Sequence, residues 1–172
     1  MRAGLDATDW RILKELQANG RITNVELARK VGISPPPCLR RTRALEQAGI
    51  ITGYYALLDE KSLDFEVIAF ANVGLHSQSE ADLRAFENQV LSWALIRECH
   101  MVSGETDFVL KCVAPDLSTF QAFVIDDLTA APNVASVKTT LVISRVKFEP
   151  GVPITVAQER IAGRGAARRR RG

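Results

Sequence analysis

The sequence predicts an α+β protein with a small helical domain at its N-terminal end and a larger domain of alternating strands and helices. Apolar residues recur at helical spacing in three short segments within the first 50 of the 172 residues. Residues 66–148 instead alternate strand-like and helix-like patterns in the order βαββαβ. The formal charge changes with the pattern, from +4 over residues 1–55 to −7 over residues 56–150. Together these observations indicate two domains with different partners.

The first helical segment spans residues 5–20. Trp10, Leu13 and Leu16 form its apolar stripe, and Gly20 closes it. Either Asp6 or Thr8 is suited to cap its N-terminal end, where acidic side chains also oppose the positive end of the helix dipole.

The second helical segment begins with Thr23-Asn24-Val25-Glu26, the pattern of a capping box. In such a box the Thr23 hydroxyl and the Glu26 carboxylate each accept a hydrogen bond from the backbone N–H of the other residue. Gly32 then turns the chain into a third helix. Two short helices joined by a tight glycine turn predict a helix-turn-helix, although an ordinary helical hairpin has the same pattern.

The third helix has signals at both of its ends. Ser34 is the expected N-cap, with its hydroxyl accepting from a free backbone N–H, and Pro35 occupies the first helical position. Gly49 is the expected left-handed residue that ends the helix. The basic side chains between these ends are opposed only by Glu46, which suits a polyanion or, alternatively, a solvated basic face. We expect contacts with the bases or phosphates of duplex DNA from Arg40, Arg41, Arg43 and Gln47.

Residues 50–58 are rich in β-branched and aromatic side chains and predict a strand. This strand is suited to be a wing beside the helices or a strand exchanged between two copies of the chain. Residues 58–64 then read as a linker. The later segments predict strands at 67–75, 96–102, 108–113 and 134–143 and helices at 79–91 and 118–128, which is the ferredoxin-like βαββαβ order.

The residues that catalysis or metal binding requires are not grouped in this sequence. Cys38, Cys99 and Cys112 lack the spacing of a zinc site and fit a reducing compartment. His76 and His100 have no neighbours that suggest a catalytic set. We therefore expect no enzyme activity, no metal and no cofactor. No apolar run reaches the roughly 18 residues of a membrane span, so we expect a cytoplasmic protein with no membrane partner.

Several motifs, taken together, resemble the Lrp/AsnC regulators, the leucine-responsive or feast/famine transcription factors of bacteria and archaea. The resemblance covers residues 5–148. Pro36 departs from the small polar residue usual in the family, and Arg40 departs from the usual acid. The motifs are Leu5-Asp6…Asp9…Ile12-Leu13, Arg21-Ile22-Thr23-Asn24-Val25-Glu26-Leu27-Ala28, Val31-Gly32-Ile33-Ser34-Pro35-x-Pro37-Cys38-Leu39-x-Arg41, Gly49-Ile50-Ile51-x-Gly53-Tyr54, Glu98-Cys99-His100-x-Val102-Ser103-Gly104-x-x-Asp107-Phe108, Lys111 and Pro132-x-Val134.

The resemblance implies a sequence-specific transcriptional regulator. Its second domain would pair into dimers through its sheets, assemble the dimers into rings, often octamers, and bind an amino-acid effector between subunits. The DNA contacts it implies are Asn24, Ser34, Pro36, Pro37, Arg40, Arg41, Arg43 and Gln47. The effector contacts it implies are Gly104, Glu105, Thr106, Asp107, Thr140, Leu141 and Val142.

The turn at residues 103–107 also has a chemical reason to bind an amino acid. Gly104 can expose backbone N–H groups to a carboxylate, and Asp107 can accept from an ammonium group. The alternative is that Asp107 is a turn carboxylate bonded to its own backbone. Glu105 and Thr106 replace an acid and an aromatic residue that are common in the family, which leaves the identity of the effector open.

The expected organisation has four parts. Residues 1–52 form a winged helix-turn-helix domain, 53–65 a linker strand, 66–150 a ferredoxin-like effector-binding and oligomerisation domain, and 151–172 a basic, disordered tail. The tail either adds sequence-independent DNA affinity or is a solvated end with no role. Two rival functions remain: a nucleoid-organising DNA-binding protein without an effector, and a metabolic enzyme or its regulatory subunit built on the second domain. As a regulator, the protein would be associated with the bacterial nucleoid.

Overall fold

The computed structural model describes residues 4–155, which form two compact units. The first unit contains residues 4–57 together with residues 148–155, and the second contains residues 58–147. The expected basic tail lies outside the described residues from position 156 onward. No helix within the described part is long and apolar enough to cross a membrane.

The first unit has three helices: α1 (Ala7–Ala18), α2 (Asn24–Val31) and α3 (Pro35–Gln47). The N-cap of α1 is Asp6, one of the two predicted. Its carboxylate accepts from the N–H groups of Thr8 and Asp9 at 2.8 and 2.9 Å, and the Asp9 carboxylate accepts from the Asp6 N–H at 3.0 Å. This reciprocal pair satisfies backbone donors that the first turn leaves free.

The capping box predicted for α2 is only half formed. The Thr23 hydroxyl accepts from the Glu26 N–H at 3.3 Å, but the described cap of α2 lacks the return bond, in which the exposed Glu26 carboxylate would accept from the Thr23 N–H. Gly32 ends the helix with a φ of +76°, a conformation that glycine adopts without steric cost. The predicted glycine turn between α2 and α3 is confirmed.

The three helices enclose a small apolar core. Packing of the amphipathic faces, more than intrinsic helix propensity, holds such short helices in place. The buried core residues, one or more from each helix, are Ile12, Leu27, Ala28, Val31, Cys38 and Leu45.

The strand predicted over residues 50–58 is not formed, and that prediction was wrong for the single chain. None of these residues pairs with a strand in the part of the chain that the structure describes. A strand requires hydrogen bonds to a neighbour, because an isolated one leaves its backbone groups to water. The apolar side chains remain largely outside, with Tyr55 85 % exposed.

The second unit contains a four-stranded antiparallel sheet in the order β2-β3-β1-β4, with two helices on one face. This confirms the predicted ferredoxin-like βαββαβ architecture. The elements are β1 (Val67–Leu75), α4 (Glu80–Val90), β2 (Ile96–Met101), β3 (Phe108–Ala114), α5 (Leu117–Ala122) and β4 (Val134–Leu141).

The core of this unit lies between the sheet and the two helices. Alternate residues of β1 point inward, and Ala69, Ala71 and Val73 are fully buried. Aromatic rings fill the space under α4, with the Phe86 ring centroid 4.8 Å from that of Phe108 and 6.2 Å from that of Trp93.

The last predicted helix, residues 118–128, changes its winding midway. It is α-helical over Leu117–Ala122 and continues as a π-helical turn over Phe123–Leu128, where the Thr129 N–H donates to the Val124 carbonyl at 2.9 Å. Such wide turns rotate side chains relative to a regular helix. Here Phe123 and Leu128 are both buried in the core.

Neither α4 nor α5 packs against the opposite face of the sheet in the described second unit. Phe70 on β1 is 39 % exposed there, and its neighbours in register are Lys111 on β3 and Thr140 on β4. Ile68, Asn72, Val109 and Val113 lie on the same side by the alternation of the strands. We refer to this surface as the open sheet face.

Candidate nucleic-acid interface and ligand site

The N-terminal end of α3 differs from its prediction at the cap. Ser34 is the N-cap residue, but its hydroxyl accepts no hydrogen bond from the helix backbone. The usual donors to a cap are the N–H groups of the second and third helical residues, which here are Pro36 and Pro37. Proline has no N–H, so the bond cannot form. The Ser34 hydroxyl is therefore exposed and free of a capping role.

The same prolines limit how α3 could bind an anion. A helix N-terminus usually attracts phosphate through its free backbone N–H groups. The first three residues of α3 are Pro35, Pro36 and Pro37, so these donors are missing. Any phosphate bound near this helix must be held mainly by side chains.

Four of the eight predicted DNA contacts form one stripe on the outer side of α3. Pro36, Arg40, Arg43 and Gln47 are all exposed and are spaced by four, three and four residues. Residues three and four apart are neighbours on a helix surface. The structure thus brings two arginines and one amide side chain onto a single solvent-facing strip.

The only acidic side chain of α3 lies beside this stripe and is bonded elsewhere. The Tyr54 hydroxyl donates to Glu46 Oε1 at 2.9 Å. Burial, followed by the hydrogen bond and charge of Glu46, raises the pKa of Tyr54 to about 12. The phenol therefore remains neutral at ordinary pH and shields the carboxylate without adding a charge.

Arg41 is placed differently from the other arginines of α3. The 3.6-residue repeat turns it toward α1, where its Nη1 lies 2.7 Å from Asp9 Oδ1 and 2.8 Å from Asp6 Oδ2. The hydrogen bond to Asp9, followed by that to Asp6, raises the pKa of Arg41. Burial by itself would raise the pKa of Asp6, but the hydrogen bonds that its carboxylate accepts from the Asp9 N–H and from Arg41 outweigh this effect. The pKa of Asp6 is therefore lowered. Arg41 therefore joins α3 to the start of α1.

Asn24 also has a partner within the unit. Its Nδ2 donates to the Pro35 carbonyl at 2.9 Å and so ties the start of α2 to the start of α3. Pro37 is half-buried, unlike its exposed neighbour Pro36. Asn24 and Arg41 thus hold the helices in their mutual positions, a role that the sequence patterns did not show.

The predicted effector turn follows β2. Gly104 has a φ of +154°, and it and Glu105 are exposed, whereas Thr106 and Asp107 are half-buried. Asp107 Oδ2 accepts from the Leu75 N–H at 2.7 Å, and its own N–H donates to the Val73 carbonyl at 2.9 Å. Asp107 therefore has the structural role that was the alternative to ligand binding, although its carboxylate bonds to the backbone of β1 and not to that of its own turn.

The other predicted effector residues lie at the far end of the sheet. Thr140 is opposite Phe70 on β1, and the Val142 N–H donates to the Ile68 carbonyl at 2.8 Å. Asp107 is bonded at the opposite end, near Leu75. Phe70 and Ile68 precede Leu75 by five and seven residues along β1, which at about 3.3 Å per residue separates the two groups by about 16–23 Å. One chain does not bring the two halves of the predicted effector site together.

Val142 lines a surface cleft of about 360 Å³. An ion pair between Arg145 Nη2 and Glu60 Oε1, 2.6 Å apart, spans part of its wall, and Phe65 and Ile68 contribute apolar lining. This cleft is large enough for a small metabolite. Among residues 4–155, no group of three or more His, Cys, Asp or Glu side chains is arranged to hold a metal ion.

Family models match both units of the chain. Residues 5–52 match the model described as winged helix-turn-helix DNA-binding, and residues 68–152 match the Lrp/AsnC ligand binding domain. The two matches cover the helical unit and the sheet unit respectively.

Curated relatives agree with these matches. The chain is 58 % identical over 147 residues to a "Leucine-responsive regulatory protein" of Rhizobium meliloti (strain 1021), covering 86 % of this chain and 94 % of that one. It is 41 % identical over 143 residues to the protein of the same name from Escherichia coli (strain K12), covering 83 % and 87 %.

Solved structures share the fold. A transcriptional regulator from Neisseria meningitidis in complex with L-Met matches with a TM-score of 0.83 and 37 % identity, over 87 % of this chain and 97 % of that one. An AsnC family transcriptional regulator from Agrobacterium tumefaciens matches with a TM-score of 0.82 and 29 % identity, over the same shares.

Proposed function

Because the chain belongs to the Lrp/AsnC family of transcriptional regulators, we propose that the exposed stripe of α3 reads its operator DNA. The chain is a DNA-binding regulator with a ligand-binding domain, and its relatives are regulatory proteins, not enzymes. The observation that carries the proposal is the placement of Arg40, Arg43 and Gln47 on one solvent-facing strip with Pro36.

The eight predicted DNA contacts divide into two groups. Arg40, Arg43 and Gln47, with the free hydroxyl of Ser34, contact bases or phosphates in the major groove, while Pro36 packs against the duplex. Arg41 and Asn24 hold α3 in the orientation that this docking needs, because their polar groups are bonded to Asp6, Asp9 and Pro35. Pro37, half-buried, supports the first turn of α3.

The experiment compares single variants on an operator found by binding-site selection. Arg40→Ala and Arg43→Ala should each weaken operator binding by about 5–150-fold, the equivalent of about 1–3 kcal/mol for a base-reading arginine. If either arginine contacts only phosphate, its variant should weaken specific and random duplexes alike. Unchanged affinity in both variants would contradict the stripe assignment.

Arg41→Ala provides the contrast. It should lower thermal stability as well as DNA affinity, because it leaves Asp6 and Asp9 without their shared cation. If the Arg41→Ala protein keeps its stability but loses its base preference at one position of the operator, Arg41 contacts DNA directly.

The effector is proposed to be an α-amino acid bound between two copies of the chain. The turn of Gly104, Glu105, Thr106 and Asp107 comes from one copy, and Thr140, Leu141 and Val142 come from another. The separation of these groups within one chain supports a shared site. The Neisseria relative was solved with L-Met, which supports the class of ligand.

Self-association is proposed to be two-fold, with pairs assembling further into octamers. The open sheet face offers apolar and charged side chains that neither α4 nor α5 covers. Residues 50–58 offer backbone groups for pairing with a second copy. Two-fold pairing would place two α3 helices about 34 Å apart, one helical turn of DNA.

The proposed location is the cytoplasm of a bacterial cell, at the nucleoid. A nucleoid-organising protein without an effector would cover DNA continuously, whereas a regulator with operators would protect phased sites. Footprinting of the protein on its own promoter distinguishes the two.

A further inference from the structure

The first turn of α3 presents no free backbone donor to a bound molecule. Pro35, Pro36 and Pro37 lack an N–H group, and the N–H of the next residue, Cys38, donates to the Ser34 carbonyl at 3.3 Å. Ser34 contributes the only hydroxyl among residues 33–39. This end of α3 therefore offers fewer hydrogen bonds than an ordinary helix N-terminus, which has four free N–H groups.

Two exposed apolar side chains lie where these donors would be. Pro36 faces solvent, and Leu39 is 39 % exposed although it is aliphatic. Residues three apart are neighbours on a helix surface, so the two side chains adjoin each other. Neither belongs to the described core of the helical unit. We refer to Pro36 and Leu39 as the apolar patch.

The apolar patch is continuous with the basic part of the α3 stripe. Arg40 follows Pro36 by four residues and Arg43 follows Leu39 by four, so each apolar side chain has an arginine as its neighbour. In a helix-turn-helix the N-terminal residues of the recognition helix contact base edges in the major groove. The position of the patch on α3 therefore suits a contact with a base.

Thymine is the base that suits such a patch. Its C5-methyl group is the one methyl group that the four bases present in the major groove, where the other bases present hydrogen-bond donors and acceptors. The apolar patch would desolvate those polar groups without replacing their hydrogen bonds, which is unfavourable. Burial of a methyl group against the patch is favourable instead.

We propose that the apolar patch selects a thymine in each half-site of the operator by packing against its C5-methyl group. This inference rests on the proposed DNA contact of α3 and adds a determinant of sequence to it. Arg40, Arg43 and Gln47 contact bases or phosphates through hydrogen bonds, whereas Pro36 and Leu39 recognise their base by shape and burial alone.

The first experiment replaces the thymines of a selected operator with deoxyuridine, one at a time. Deoxyuridine lacks the methyl group but keeps the base pair and its hydrogen-bonding edge. At one thymine of each half-site the replacement should weaken binding about fourfold, the equivalent of about 0.8 kcal/mol for one buried methyl-sized group. Fluorescence anisotropy measures the affinities. Unchanged affinity at every replaced thymine overturns the proposal.

The second experiment assigns the methyl contact to the patch by combining protein and DNA changes in a double-mutant cycle. Pro36→Ser should bind the thymine and deoxyuridine duplexes alike, and Leu39→Ala should reduce the difference between them. Pro36→Ser should still fold, because its restored N–H can donate to the Ser34 hydroxyl. Pro132→Ser, at an exposed position of the sheet unit, is the control for the exchange of residue type and should keep the full difference. A full difference in both patch variants overturns the proposal.

The third experiment adds the methyl group to a different base. An operator with cytosine at the selected position should bind more weakly than one with thymine. Replacement of this cytosine by 5-methylcytosine should strengthen binding about fourfold, because the methyl group returns to the same place in the groove. Pro36→Ser should show no such gain. Equal affinity of the wild-type chain for the two cytosine duplexes contradicts the methyl contact.

The same variants exclude two other roles of the patch. If Pro36 packs only against the DNA backbone, Pro36→Ser weakens binding to all duplexes alike. If the patch packs against another copy of the chain, Pro36→Ser changes the sedimentation coefficient and leaves the thymine preference intact. Either result overturns the proposal.

The failure of this inference is distinguishable from the failure of the proposed function. If Arg40→Ala loses operator preference while no deoxyuridine has an effect, α3 binds the operator without a methyl contact, and only this inference fails. If Arg40→Ala, Arg43→Ala and every deoxyuridine are without effect, the assignment of the α3 stripe fails as well.

Discussion

At the scale of single residues, arginines close together in sequence have different roles. Arg40 and Arg43 face solvent, whereas Arg41 is bonded to Asp6 and Asp9. Both side chains of the Arg41–Asp6 pair are about one-third exposed, at 35 % and 36 %. Solvent therefore screens the pair, and its contribution to stability is modest. Its main effect is to set the position of α3 relative to α1.

This ion pair makes the stability of the helical unit depend on pH. The pKa of Asp6 is lowered below 3.8 in the folded state. The stabilisation is therefore present above the unfolded pKa and is lost as the pH falls through the lower, folded value. Asp6→Asn keeps the cap, since Asn caps as well as Asp, but removes the charge. We expect this substitution to lower the free energy of unfolding by about 0.2–1 kcal/mol at pH 7. It should also reduce the further loss of stability between pH 7 and acid pH.

The measurement is urea unfolding at pH 7 and at pH 3, followed through Trp10 in a Trp93→Phe background. An Arg41→Ala background is the control, because Asp6→Asn should cost little there. An equal cost of Asp6→Asn with and without Arg41 would show that the cap, not the ion pair, is responsible.

At the scale of elements, the turn at 103–107 and the end of β4 each carry half of the proposed ligand site. The Asp107 carboxylate holds the end of β1 through Leu75. Its replacement would disturb the sheet as well as any ligand contact. Variants of Gly104 and Thr140 are better probes, since both residues are exposed.

Calorimetry with individual amino acids should detect at least one ligand, and Gly104→Ala and Thr140→Ala should each abolish most of the heat. A mixture of the two variants should recover about a quarter of the sites, because random assembly pairs an intact turn with an intact strand at that frequency. No recovery, with both variants folded, would place the site within one chain.

At the scale of the whole molecule, the proposed contact between copies involves surfaces that are exposed in the single chain. The open sheet face exposes Phe70 between Lys111 and Thr140. Self-association would bury this apolar area and supply a neighbouring strand for residues 50–58, which pair with no strand among the described residues.

Phe70→Glu should therefore dissociate the proposed dimer at micromolar concentration, because it places a charge in the centre of the proposed interface. Sedimentation velocity measures this directly, and binding to a duplex with two half-sites should weaken in parallel. Ile125→Glu, at an exposed apolar position on the helical side, is the control and should leave the dimer intact. A Phe70→Glu protein that remains dimeric would exclude this face.

The local sequence was sufficient for most of the architecture. Asp6, Gly32 and the apolar run of residues 67–75 are short-range signals, and the helix start, the turn and the strand that they predict are present in the structure. Hydrogen bonds to near neighbours and the period of burial determine such features, so neighbouring residues carry the information.

Only the tertiary structure decided the roles of individual polar groups. The bonds from Arg41 to Asp9 and from Gln17 to Val152 join residues 32 and 135 positions apart, and no local pattern announces them. The sheet register likewise separated Asp107 from Thr140. Residues 50–58 form no strand in the described part of the chain, because strand pairing depends on a partner that their own sequence does not supply. Short-range signals therefore determined the elements, whereas long-range contacts determined which side chains remain available for DNA and ligand.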